Sequence, residues 1–202
     1  MPSQSLSRAR TTLTIAALTL LTAAMPASRA SAQSAIGVEH RVLATTKTST
    51  MEKELNDAAE AGFRYKAVMG GDTAVGGAEV VVVMAKNGAA RSGRYAYKLL
   101  ATNRTSTMEK ELQAAADLGF EYVGQTVFKS MFGGQEVVCI LERDKDSSGA
   151  PPSYRLLATN RTGTMQKELN ELGAAGYEVL GLTVGKTAIG GSEIVAIARR
   201  GK

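Results

Sequence analysis

Apolar and polar positions follow one short pattern three times over. A run such as Tyr97-Lys98-Leu99-Leu100-Ala101-Thr102 reads as a strand, because apolar residues cluster without helical spacing. A polar loop follows, and then apolar residues spaced i, i+4 and i+7, as in Met165, Leu169 and Leu172, predict a helix with one stripe facing a sheet. Gly62, Gly119 and Gly176 stand where a left-handed residue would end that helix. Two further strands are expected, about Tyr122 to Phe128 and Glu136 to Arg143 in the second copy. The loop between them ends in a double glycine suited to positive φ.

The copies share a fixed register. Leu43-Ala44-Thr45 returns as Leu100-Ala101-Thr102 and Leu157-Ala158-Thr159, and Met51, Lys53, Glu54 and Leu55 return as Met108, Lys110, Glu111 and Leu112 and again as Met165, Lys167, Glu168 and Leu169. Each offset is 57 residues, which identifies tandem duplication of one βαββ module. The expected organisation is repeat 1 over residues 38–88, repeat 2 over 95–145 and repeat 3 over 152–202, with linkers at Asn87 to Arg94 and Asp144 to Ser153. Ser49 with Glu52, and Ser106 with Glu109, are spaced as capping boxes. The third copy has Gly163 and Gln166 instead.

The last strand of each module is apolar at consecutive positions, as in Val80-Val81-Val82-Val83-Met84, and such a strand is covered on both faces. One helix covers only one face. The fold class expected is therefore α+β: antiparallel hairpins with one helix each, the three modules packed in a pseudo-threefold body that buries the second face against sister sheets. The alternative is that the bare faces bind an outside partner or form an oligomer.

Ahead of the repeats, Arg8 and Arg10 precede an uncharged run from Leu13 to Met25, followed by Pro26 and Ala30-Ser31-Ala32. This is the layout of a secretory signal peptide over residues 1–32, with cleavage after Ala32. The run is shorter than the ~20 residues a membrane-crossing helix needs. Cleavage would remove three arginines and no acid, lowering the formal charge from +5 to 5 − 3 = +2. So small a charge gives no reason to expect nucleic acid as a partner. The expected setting is periplasmic or extracellular, with a possible protein partner in the cell envelope.

Chemistry is sparse. His40 is the only histidine and is replaced by Tyr97 and Tyr154 in the other copies, and Cys139 is the only cysteine, in an apolar run. Those counts exclude His/Cys metal clusters and an intrachain disulfide, and leave no nucleophile–histidine pair repeated between modules. Gly185-Lys186-Thr187 resembles the end of a phosphate-binding loop, but position 180 is leucine where that motif needs glycine, and a strand follows. The repeated glutamates Glu79, Glu136 and Glu193 are the polar set that could converge on a hard cation if the modules closed around an axis. The simpler reading makes each a solvated residue opening its strand. No cofactor is expected, and no catalytic residue emerges.

The stretch Leu169-Asn170-Glu171-Leu172-Gly173-Ala174-Ala175-Gly176-Tyr177-Glu178 resembles a family of small bacterial domains of unknown function with the signature L-N-x-L-G-x-x-G-W-E. The family's tryptophan is Tyr177, Phe120 or Phe63 here. The resemblance implies a strand-helix-hairpin plan and supplies no active-site residue. The function expected is therefore a non-enzymatic structural or protein-binding module, the alternative being a small-ligand or metal-binding protein with a site between the repeats.

Overall fold

The computed structural model describes residues 37–74, 77–102, 104–129, 135–186 and 191–201. The expected signal peptide lies outside them, as do Gly76, Gly133, Gly134 and Gly190 of the double glycines. Module 1 comprises β1 (Glu39–Thr45), α1 (Thr48–Glu60), β2 (Arg64–Thr73) and β3 (Gly77–Lys86). Module 2 comprises β4 (Tyr95–Thr102), α2 (Thr105–Asp117), β5 (Glu121–Lys129) and β6 (Gln135–Asp144). Module 3 comprises β7 (Ser153–Thr159), α3 (Thr162–Ala174), β8 (Glu178–Lys186) and β9 (Ser192–Arg200).

Each module forms its own three-stranded antiparallel sheet, in the orders β1-β3-β2, β4-β6-β5 and β7-β9-β8. The last strand of each module is thus the central one, which explains its unbroken apolar run. A register shift recurs at the same place in every hairpin, between Tyr65 and Ala67, Tyr122 and Gly124, and Val179 and Gly181. Each helix ends on a glycine in the left-handed region, at φ +89° for Gly62, +83° for Gly119 and +80° for Gly176. Around the first of these, Gly62 N–H donates to Ala59 O at 2.9 Å and Phe63 N–H to Ala58 O at 3.0 Å, the paired bonds of a Schellman stop.

The capping boxes do not form. The helices begin at Thr48, Thr105 and Thr162, and their N-caps Lys47, Arg104 and Arg161 make no side-chain cap bond. The threonine closing the first strand of each module takes over part of this work. Thr45, Thr102 and Thr159 accept from the N–H of Lys47, Arg104 and Arg161 through their hydroxyls, at 3.2, 3.1 and 3.3 Å. Glu52 and Glu109 are thereby released for a different partner.

That partner is the next module. Helix α1 packs on its own sheet and still more extensively on β4, and α2 likewise bridges its own sheet and β7. One core joins Met51, Leu55 and Phe63 to Val80, Val82 and Met84 on one side of α1 and to Tyr97, Val138 and Ile140 on the other. A second joins Met108 and Leu112 to Cys139 and Leu141 on one side of α2 and to Tyr154, Val195 and Ile197 on the other. The central strands β6 and β9 therefore do bury both faces, but the second face meets the preceding module's helix and not a sister sheet, while β3, with no preceding helix, leaves Val81 and Val83 only half-buried. A sheet offers a flat apolar face, and the helix between two such faces fills both with a wide stripe.

Three like modules pack as neighbours, yet the succession does not close on itself. Modules 1 and 2, and modules 2 and 3, share β2–β5 and β5–β8 contacts as well as helix contacts. In a closed ring α3 would cover β1. Val42 of β1 instead is 65% exposed, and Met165 is the only buried side chain that α3 contributes among the described residues. The arrangement is an open row with two ends.

Candidate functional site: the module interfaces and the two free ends

Both interfaces use the same bonds at equivalent positions. Asn56 of α1 clasps the backbone of Tyr97 on the edge strand β4, accepting from its N–H at 2.9 Å and donating to its C=O at 2.9 Å. Gln113 of α2 does the same one module on, accepting from Tyr154 N–H at 3.1 Å and donating to Pro152 O at 3.2 Å. Glu52 accepts from Leu99 N–H at 2.8 Å, and Glu109 from Leu156 N–H at 2.9 Å. Edge-strand groups that would otherwise offer themselves to any passing strand are satisfied by helix side chains.

The tyrosines that replace His40 point back into the preceding module. Tyr97 accepts from Tyr65 N–H at 2.8 Å and Tyr154 from Tyr122 N–H at 2.8 Å. Burial raises both phenols above the usual tyrosine range, Tyr97 by more than Tyr154. Tyr65, buried in the first interface, is pushed up to about 12 by the same desolvation. Its hydroxyl occupies the place a Cβ would take at Gly124, and that of Tyr122 does so at Gly181. A tyrosine from one module over a glycine of the next is thus a second repeated pairing.

A charged pair gives the interfaces opposite signs. Between modules 1 and 2, Arg64 meets buried Glu142 at 2.8 Å, and Glu142 also accepts from the Tyr97 hydroxyl at 2.7 Å. Between modules 2 and 3 the equivalent positions are Glu121 and Arg199, 3.6 Å apart. Module 1 set directly on module 3 would bring Arg64 against Arg199. The inversion therefore fixes the order of the modules, since like charges at these sites repel.

At the two ends of the row the same faces lack a neighbouring module among the described residues. Val38, Val42 and Met69 of module 1 occupy the positions of Tyr95, Leu99 and Thr126 in module 2, which face module 1 there. Val179, Leu182 and Val184 of module 3 occupy the positions of Tyr122, Gln125 and Val127 in module 2, of which Gln125 bonds Thr183 across the second interface. These six side chains are 46% to 65% exposed. Among the described residues, the one other large hydrophobe so exposed is Leu118, beside a cleft of about 480 Å³ at the second linker. We call the module 1 face the head and the module 3 face the tail.

The glutamates singled out from the sequence stay with their own hairpins. Glu79 is paired in register with Gly71, Glu136 with Phe128 and Glu193 with Gly185. Glu79 accepts from the Thr73 hydroxyl in that hairpin. Among the described residues no three His, Cys, Asp or Glu side chains gather as metal ligands. Cys139 is buried, its thiol pushed up to about 12 by desolvation. His40 is exposed on the head face.

Sequence reasoning missed the interface set: Glu52, Asn56, Tyr65, Tyr97, Glu142 and their counterparts. Two signals in the repeat could have found them. Glycine replaces Ala67 at 124 and 181, making room for tyrosine, and residue 142 and its counterpart at 199 carry opposite charge. No family model matches the sequence, and no curated protein or solved structure matches it.

Proposed function

We propose that the chain is an exported, non-enzymatic assembly module that works outside the cytoplasm by binding protein at the two ends of its row. The single observation behind this reading is that, among the described residues, large exposed hydrophobes are confined to the head and tail faces, Leu118 aside. Apolar surface gathered into patches marks contact with another macromolecule, whereas scattered apolar residues do not. The use of the buried polar groups supports the same reading. Tyr97, Tyr154, Glu142, Asn56 and Gln113 are all engaged in joining one module to the next.

The leader-like segment over residues 1–32 supports export. The test is retrieval of partners from the native cell envelope with the wild-type chain, alongside Met69→Asp on the head and Leu182→Asp on the tail. A partner held by wild type and lost by one end variant is the expected result. Retention by both variants would remove the end faces from the function.

A further inference from the structure

The two free faces are not merely apolar; they are the two halves of the interface already built twice inside the chain. Each internal interface pairs a tail-side residue of one module with a head-side residue of the next, and the ends carry a matched set at those positions. Gln125 donates to the Thr183 hydroxyl at 3.1 Å inside the row. At the ends the counterpart of Gln125 is Leu182 and that of Thr183 is Met69, so a polar pair inside becomes an apolar pair outside. Had either face been shaped for water, one member of that pair would have stayed polar.

Size is matched in the same way. Tyr65 fits over Gly124 and Tyr122 over Gly181. The counterparts at the ends are Val179 and Ala67, a smaller side chain facing a backbone that carries one more methyl. Val127 lies beside Gly185 within the row, and its counterpart Val184 would meet Gly71, around which a Cβ would find open space. The charge inversion is absent too: Glu178 stands where Arg64 and Glu121 do, and Ala85 where Glu142 and Arg199 do, so no like charges oppose each other.

We propose that the protein assembles head to tail, the module 3 face of one copy seating on the module 1 face of the next as each module seats on its neighbour within the chain. This rests on the reading of the ends as binding faces and names the partner as a second copy. The contact is heterologous, so it propagates into an open filament, or into a ring if the rotation closes. It is weaker than the internal interfaces, because His40 replaces the bonding tyrosine, Gln166 replaces the glutamate, and no salt bridge crosses it. Assembly is therefore reversible and set by concentration.

The experiment is sedimentation analysis over a roughly hundredfold concentration range, which spans the crossover of a reversible association. It is run on the full chain and on residues 36–202, the compact unit that contains all twelve elements. The mass of wild type is expected to rise through dimer to larger species. Met69→Asp and Leu182→Asp, each with an unchanged melting temperature, are expected to remain monomeric alone. Mixed in equal amounts they form one dimer and stop, because only one good head and one good tail remain. The double variant Met69→Cys/Leu182→Cys is expected to give a ladder of disulfide-linked oligomers under mild oxidation, whereas each single variant, which lacks a cysteine across the contact, forms no crosslink.

A wild type that stays monomeric with no ladder overturns the proposal, as does a dimer that survives in either variant alone, since that contact would be symmetric. Assembly by the full chain but not by residues 36–202 also overturns it, since the contact would then depend on residues outside the two faces. If self-association fails while the end variants still lose an envelope partner, the binding reading stands without this one. Failure of both removes both.

Discussion

Helices α2 and α3 carry closely related sequences and occupy equivalent places in their modules, yet one is interior and the other is not. In α2 the side chains of Met108, Leu112, Ala115 and Ala116 are buried between two sheets. In α3 only Met165 is buried, while Leu169 and Leu172 are half-exposed, because no sheet follows. The difference teaches that the unit of stability is not the module but the pair of sheets around one helix. A module at the end of the row is half of such a unit, and its sequence has changed accordingly, with Gln166 in place of the glutamate that would have gripped the next edge strand.

The sharpest break of this comparison is excision. A fragment of residues 154–202 keeps α3 and its sheet but loses α2, which covers Val195 and Ile197. It is expected to be unfolded or aggregated by circular dichroism and sedimentation, and a dispersed, monomeric spectrum would show that a module stands alone. Next in size is the leucine at equivalent helix positions. Leu112→Ala is expected to cost about 2–5 kcal/mol by denaturant unfolding, as for a fully buried leucine. Leu169→Ala, half-exposed, is expected to cost roughly 1 kcal/mol. Equal costs would erase the distinction between interior and terminal helices.

Smaller again is the tyrosine pair. Tyr97→Phe strips a bond from buried Glu142 and leaves Tyr65 N–H unsatisfied, a loss of about 1–3 kcal/mol. Tyr154→Phe removes only the bond from Tyr122 N–H and is expected to cost about 1 kcal/mol. A reversed order would show that Glu142 is not held by the hydroxyl.

The smallest effect appears only in alkali. Tyr65 is raised to about 12 in the folded chain by burial, and Tyr97, Tyr122 and Tyr154 are raised too, so the folded state holds protons that the unfolded state gives up near pH 10. Stability from these groups is complete below pH 10 and is lost as pH rises from there toward 12. Melting temperature against pH, with ultraviolet titration of the phenols, measures it. The decline is expected to be shallower in Tyr65→Phe, which lacks the titrating hydroxyl.

Much of the fold was legible because strands and helices write their periods locally. The unbroken apolar runs of β6 and β9 correctly required cover on both faces, whereas the like run Val80 to Met84 is covered on one, and the glycines at 62, 119 and 176 marked helix ends that the backbone adopts. The interface was less legible. Glu52 and Glu109 are spaced for capping boxes, and nothing within a single module says that each will reach an edge strand about 47 residues further on. Glu79, Glu136 and Glu193 drew notice because they repeat, but repetition places equivalent residues one module apart along a row, each beside its own hairpin.

The sequence by itself determined that there are three copies of one module, the order of their elements and where their helices end, and that the central strands within the row need cover on both faces. Those facts depend on local spacing, on glycine's access to positive φ and on the cost of wet apolar surface. Only the tertiary structure decided that a neighbour's helix supplies the second cover, and that the row stays open. That choice depends on shape and charge across interfaces, where Tyr65 finds Gly124 and Arg64 finds Glu142, residues with no sequence neighbourhood in common.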